Sequence, residues 1–251
     1  MGKVISFVNQ KGGVGKTTSA INIAASLGVL GYKVLVIDLD PQGNATSGLG
    51  VLKRNLKLTA SDLLTTDAPA SEVVLKTIFE NLSIIPANRM LAGAEHDLQS
   101  QDFTVLRKKI VPVKNLYDYI IIDCAPSLGM LSANALTASD GVVIPMQCEF
   151  FALEGLSQLM ATISQIKKIS NPDLSITGIL ITMYNSRLFL STQVISELRK
   201  HYQDKIFETP ISRNVKAAEA PGFGKPVYYH EKNAKAAKEY MNVAKELAER
   251  I

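Results

Sequence analysis

Ten residues near the start of the chain, Asn9-Gln10-Lys11-Gly12-Gly13-Val14-Gly15-Lys16-Thr17-Thr18, bring together three glycines, two lysines and two threonines. Gly12, Gly13 and Gly15 let the backbone curl so that successive N–H groups point into one concavity, where they can cradle phosphate oxygens. A helix opening at the end of the run adds the partial positive charge of its N-terminus. Lys16 supplies a full charge toward the outer phosphates, and the Thr17 hydroxyl is placed to bind Mg²⁺. The cradle runs from Lys11 through Val14 to Thr18, and the chemistry it fits is the binding and hydrolysis of ATP. One departure from the common G-x-x-x-x-G-K-[ST] spacing is visible: Gln10 stands where the first glycine is expected, and a second lysine, Lys11, opens the loop.

Carboxylates complete such chemistry. Asp38 and Asp40 follow the apolar run Lys33–Ile37, and Asp123 follows Tyr117–Ile122. An acidic residue at the end of an apolar strand, beside a phosphate loop, is the usual means of holding Mg²⁺, and one near the outer phosphate can orient the attacking water. Asp40 and Asp123 are read in these roles. Asp38 is left open between a role near the metal and a purely structural one, such as capping a turn.

These residues need a scaffold that brings strand ends together. Short apolar runs at 3–8, 33–38, 82–86, 117–123, 141–146, 175–183 and 205–211 alternate with helix-like stretches. Several runs are nearly continuous Val and Ile, as expected of strands covered on both faces. In 150–169, Phe150, Leu153, Leu156, Leu159, Met160, Ile163, Ile166 and Ile169 recur at helical spacing. The alternation predicts an α/β, doubly wound, mostly parallel sheet flanked by helices. In such folds ligands bind beyond the carboxyl ends of the strands, where the motifs above fall. The 251 residues show no linker, repeat or low-complexity tract, so one domain over 1–251 is expected.

Charge is unevenly placed. Residues 1–186 hold 15 Lys/Arg and 15 Asp/Glu, whereas 187–251 hold 12 against 8, so the whole net charge of +4 lies in the last quarter. A basic region can attract nucleic acid or an acidic membrane surface. Cys124 and Cys148 lack metal-like spacing, which points to a reduced, cytoplasmic protein. His96, His201 and His230 are scattered and form no metal pattern. Gly2 and Ser6 fit a loose myristoylation pattern, but Val4, Ile5, Phe7 and Val8 around them read as a buried first strand.

Taken together, NQKGGVGKTT (9–18), VIDLDPQGNATSGLG (36–50), YIIIDCAPSLG (119–129), CEFFALEGL (148–156) and SRNVKAAEAPGFGKP (212–226) resemble the ParA/Soj chromosome- and plasmid-partition ATPases, of the deviant Walker A type, over nearly the whole chain. The resemblance implies a set of roles. Lys11 is the signature lysine that reaches the nucleotide of a partner subunit, so that two ATPs are sandwiched in a homodimer. Gly12 lies where the subunits approach, Asp40 positions the hydrolytic water, and Asp123 is the Walker B acid. Asn214 reads the adenine, and Ser212 stands where relatives carry a proline against the base. The resemblance further implies nonspecific binding of double-stranded DNA through Arg187 and Lys216, with Arg213 and Lys225 as added candidates. Lys216 occupies a position often held by arginine and gives no bidentate fork. A ParB-like centromere-binding partner, slow intrinsic turnover and a nucleoid-associated location follow from the same likeness, as does the short form without an N-terminal DNA-reading domain.

Two rival readings belong to other classes. A MinD-like membrane ATPase would end in a basic amphipathic segment lying on lipid. Here Ala237, Tyr240, Met241, Ala244, Leu247 and Ala248 make only a mild, alanine-rich stripe, which predicts packing on the domain and no membrane contact. A metal-cluster carrier would need bridging cysteines, whereas Cys124 and Cys148 sit at strand ends, as core residues do.

Overall fold

The computed structural model describes residues 2–98, 103–149 and 151–251; Phe150 of the apolar stripe lies outside them. Strands β1 (Lys3–Phe7), β2 (Val34–Leu39), β3 (Leu75–Lys76), β4 (Leu82–Ile85), β5 (Tyr119–Cys124), β6 (Gly141–Gln147) and β7 (Ser175–Thr182) form one sheet in the order β3-β4-β2-β5-β1-β6-β7. Every neighbouring pair is parallel except β3 with β4, which is antiparallel. The helices between them are α1 (Lys16–Val29), α2 (Asn44–Gly48), α3 (Ala60–Thr65), α4 (Ala70–Val73), α5 (Leu91–Asp97), α6 (Val105–Lys114), α7 (Met130–Ala138), α8 (Ala152–Ile169), α9 (Phe189–Tyr202), α10 (Val215–Glu219), α11 (Val227–His230) and α12 (Lys235–Arg250). The doubly wound α/β architecture expected from the sequence is the one observed.

The continuous apolar runs have their explanation in two cores, one on each face of the sheet. In β1, Val4 belongs to one core and Ile5 and Phe7 to the other, and all three are fully buried. Leu63, Leu91, Leu106, Leu131, Leu159 and Val194, from α3 and α5 to α9, fill the first. Helices α1, α2, α10, α11 and α12 close the second. In α8, Leu156, Leu159, Ile163 and Ile166 face the core as the spacing requires, but Ile169 at its end is exposed. Helix α12 lays Ala237, Tyr240, Ala244 and Leu247 against the second core, with Ala248 half-buried at its border; Met241 is half-buried. Gly2 is buried, and the Tyr117 and Lys114 carbonyls fill the space a Cβ would need, in keeping with the strand reading of the N-terminus.

The run 205–211 departs from expectation, because it forms no regular strand. It follows the edge of β7 with one isolated bridge, Ile179 with Ile206, and a second, Tyr184 with Ser212, just beyond its end. Phe207 N–H donates to the Ile179 carbonyl (3.0 Å) and Ile211 N–H to that of Ile181 (2.8 Å). Between them the Glu208 N–H turns to the Glu246 carboxylate on α12, and Pro210 has no N–H to give. The ladder is therefore interrupted at Glu208 and again at Pro210. The two-residue strand β3 was not expected from the sequence: Leu75 and Lys76 are both exposed and too short a run to carry a pattern.

Candidate active site

The phosphate loop joins β1, in the middle of the sheet, to α1. Gly13 and Gly15 take the left-handed backbone conformation (φ 75° and 86°), which glycine adopts without steric cost. Side-chain hydrogen bonds tie the loop to distant strands. Asn9 Nδ2 donates to the Pro145 carbonyl (2.8 Å), Gln147 Nε2 to that of Gly13 (2.9 Å), and Thr182 Oγ1 to that of Val14 (2.7 Å). Gln147 and Thr182 end β6 and β7, and the sequence reading missed both. Their only signal is a polar residue closing an otherwise apolar run. Helix α1 has no acidic residue in its first turn, so its positive end is left for an anion.

Lys16 is buried and donates from Nζ to the Lys11 carbonyl (3.1 Å). Burial lowers its pKa, against the pull of Asp123, Cys124 and Asp40. Lys11 is half-exposed and ion-paired with Glu149, just beyond β6. Thr17 and Thr18 are half-buried, and Gly12 is exposed, with no atom within 4 Å of where a Cβ would stand.

Strand pairing brings the carboxylates together. Asp38 on β2 lies in register with Asp123 on β5, and Asp123 in turn with Phe7 on β1. Asp38 is fully buried. Its carboxylate accepts from the Thr46 N–H (2.8 Å), the Thr46 hydroxyl (2.7 Å) and the Asp40 N–H (3.2 Å). Thr46 Oγ1 accepts in turn from the Ala87 N–H (2.8 Å). Asp38 therefore anchors α2 and the turn before it, which fills the structural side of the alternative left open above. Burial pushes its pKa up to about 6, against those hydrogen bonds. Asp40 is buried too, and its Oδ1 accepts from the Gln42 N–H (2.8 Å) in a tight turn.

Asp123 is different. It is fully buried and neither carboxylate oxygen has a hydrogen-bond partner. Burial first, and then the Asp38 charge, drive its pKa well up, while nearby Thr17 and Lys16 favour the ionised form. A buried carboxylate without partners is costly. A hard cation beside Thr17, with phosphate in the loop, would satisfy both oxygens, so the residues present fit Mg²⁺ and a nucleotide. Burial also raises both thiols, Cys148 to about 11 and Cys124 further.

A cavity of about 410 Å³ lies beside the loop, lined among others by Gly15, Thr18, Ser212, Asn214 and Tyr240. Asn214 caps α10, its Oδ1 accepting from the Lys216 and Ala217 N–H groups. Its Nδ2 remains for the cavity. Ser212 is tied to Glu239 of α12 through both its N–H (2.9 Å) and its hydroxyl (2.6 Å). Proline could make neither bond, which gives serine a local reason to stand there.

The four basic candidates are exposed. Arg187 lies in the loop after β7, Arg213 beside the cavity, Lys225 after the short turn that follows α10, and Lys216 on α10 itself, paired with Glu219 (3.0 Å).

The chain is similar to known proteins along its whole length. A family described as "AAA domain" matches residues 2–176. The sporulation initiation inhibitor protein Soj of Bacillus subtilis is 50% identical over 250 residues, covering 99% of each chain. The chromosome partitioning protein ParA of Myxococcus xanthus is 46% identical, covering all of this chain and 89% of its own. Among solved structures, a cobyrinic acid a,c-diamide synthase from Mycobacterium smegmatis, with bound ATP analogue and magnesium, superposes with a TM-score of 0.86 at 35% identity, over 98% of this chain and 93% of its own. No described helix is long and apolar enough to cross a membrane. With a phosphate loop, buried aspartates side by side at the strand ends and likeness along the full chain, this protein belongs to the Soj/ParA family of chromosome-partitioning P-loop ATPases.

Proposed function

We propose that the chain is an ATP-driven partition switch. Two copies sandwich two ATPs, bind double-stranded DNA without sequence preference, and separate on hydrolysis stimulated by a ParB-like partner. The observation that carries this reading is the orphaned Asp123 carboxylate beside the Lys16 loop, in a chain half identical to Soj from end to end.

In this reading the backbone of residues 11–18 cradles the phosphates, and Lys16 leaves the Lys11 carbonyl for the outer phosphates. Thr17, Asp40 and Asp123 are the residues that would hold Mg²⁺, which when bound neutralises phosphate charge. Asp40, fixed by its turn, orients the attacking water. Lys11 leaves Glu149 and reaches the partner copy's nucleotide across Gly12. Ser212 and Asn214 border the adenine. Arg187, Arg213, Lys216 and Lys225 meet DNA phosphates, and closing the dimer doubles that surface, which steepens affinity and salt dependence together. The place of work is the nucleoid, in the cytoplasm.

The test is ATP hydrolysis with and without nonspecific duplex DNA at low and high salt, alongside DNA binding in ATP and in ADP. Binding that requires ATP and falls steeply with salt is expected. Hydrolysis with no DNA binding in either nucleotide would remove the partition role and leave the ATPase. Lys16→Ala should lower hydrolysis by at least about 100-fold, the scale of losing one preorganised donor to developing charge; normal turnover would overturn the site assignment.

A further inference from the structure

The neutral charge balance of residues 1–186 hides a local excess. Lys53, Arg54 and Arg89 converge on a cleft of about 520 Å³ beyond the carboxyl ends of β2 and β4, at the same end of the strands as the phosphate loop. Its other polar walls are the amides Gln42, Asn44 and Asn88, and no acidic residue lines it. Among the described residues none of the three cations has a carboxylate partner within ion-pair distance, and Arg54 and Arg89 are exposed. Asn88 spends its Oδ1 on the Met90 N–H (2.9 Å), which leaves its Nδ2 as a donor. Three unpaired cations around one concavity repel one another unless an anion lies between them. Guanidinium forks and amides are the groups that bind phosphate oxygens along a nucleic-acid backbone.

The cleft is continuous with a second groove. Lys53 and Arg54 also form one wall of it, opposite Pro221–Gly224. That opposite wall is flanked in the chain by Lys216 and Lys225, two of the proposed DNA contacts. We infer that the Lys53–Arg54–Arg89 cleft binds the phosphodiester backbone of duplex DNA, extending the basic band of the C-terminal quarter across to β2 and β4. The inference rests on the DNA-binding reading above, which it deepens.

The cleft also touches the catalytic turn. Lys53 Nζ donates to the Gln42 carbonyl, and its side chain lies over Gly43. Gln42 N–H donates to Asp40 Oδ1, and Gly43 N–H to the Asp40 carbonyl (2.8 Å each). Lys53 thus links the cleft to the turn that carries Asp40.

The test uses the full chain with ATP and a short random-sequence duplex, read by fluorescence anisotropy over a range of salt. Arg54→Gln with Arg89→Gln should weaken binding about tenfold at low salt. It should also flatten the slope of log affinity against log salt by about 0.9 for each lost contact. Arg54→Lys with Arg89→Lys should keep most of both, and ATP affinity and thermal midpoint report whether each variant is folded. If the wild type binds DNA and the glutamine variant binds with the same slope, the cleft proposal falls while the DNA reading stands. Loss of stimulation by an acidic protein partner, with DNA binding intact, would likewise overturn it and make the cleft a protein-docking site. A wild type that binds no DNA removes both readings together.

Discussion

Asp123 carries two oxygens with no hydrogen-bond partner, and its cost to the free protein is the counterpart of its use. Asparagine at this position keeps the shape but can neither ionise nor hold a cation. Because burial and Asp38 already favour the protonated acid in the free protein, Asp123→Asn should move the thermal midpoint of the nucleotide-free protein by no more than about 2–4 °C, the scale of one kcal/mol, while Mg²⁺-dependent hydrolysis is lost; a much larger rise would mean that the carboxylate is ionised before the cation arrives. Asp38 makes a related point through pH. Its pKa rises from 3.8 to about 6 on folding, so the folded state binds its proton more tightly than the unfolded chain does. The resulting stability is present below about pH 4 and is lost as pH rises through about 6, a change of about 3 kcal/mol. Asp38→Asn removes this component, so the wild type minus variant difference in denaturant stability should fall across that window, from about pH 4 to about 6, and level off above. A difference that is flat across the window would show that Asp38 is ionised with its ordinary affinity.

At the scale of elements, what could be read from sequence was what the chain states locally. The loop of residues 9–18 was legible because glycine spacing and a following lysine report backbone shape and charge directly, and the buried strands because both faces of the sheet are covered. The supports of the loop were not legible: Gln147 and Thr182 meet it across 134 and 168 residues, and only folding brings them there. The run 205–211 misled because its apolar residues do pack, while Glu208 and Pro210 interrupt the ladder. Helix α1 offers a test of packing over propensity. Alanine at Gly28 should favour a helix by up to about 1 kcal/mol, but its Cβ would run into the Glu80 carbonyl oxygen. Gly28→Ala should destabilise by about 1–3 kcal/mol in urea unfolding; a stabilised variant would show that the loop before β4 yields freely.

The whole molecule is two cores on opposite faces of one sheet, with the phosphate loop and the acidic strand ends gathered at the carboxyl edge of the strands. The proposed sandwich dimer would close at that edge, and Gly12 probes it without disturbing the protomer. It is exposed, its φ is outside the left-handed region, and no atom lies within 4 Å of a Cβ built there. Valine is thus accommodated by the chain itself, and the stability of the nucleotide-free protein should change by less than about 0.5 kcal/mol. Any larger effect must arise from what approaches the loop from outside. If two copies close over ATP, Gly12→Val should still bind ATP yet stay monomeric by light scattering, and its DNA affinity in ATP should drop to the ADP level, because the doubled basic surface never forms. A Gly12→Val protein that dimerises normally with ATP would place the subunit contact away from this loop and leave Lys11 without a partner's nucleotide to reach.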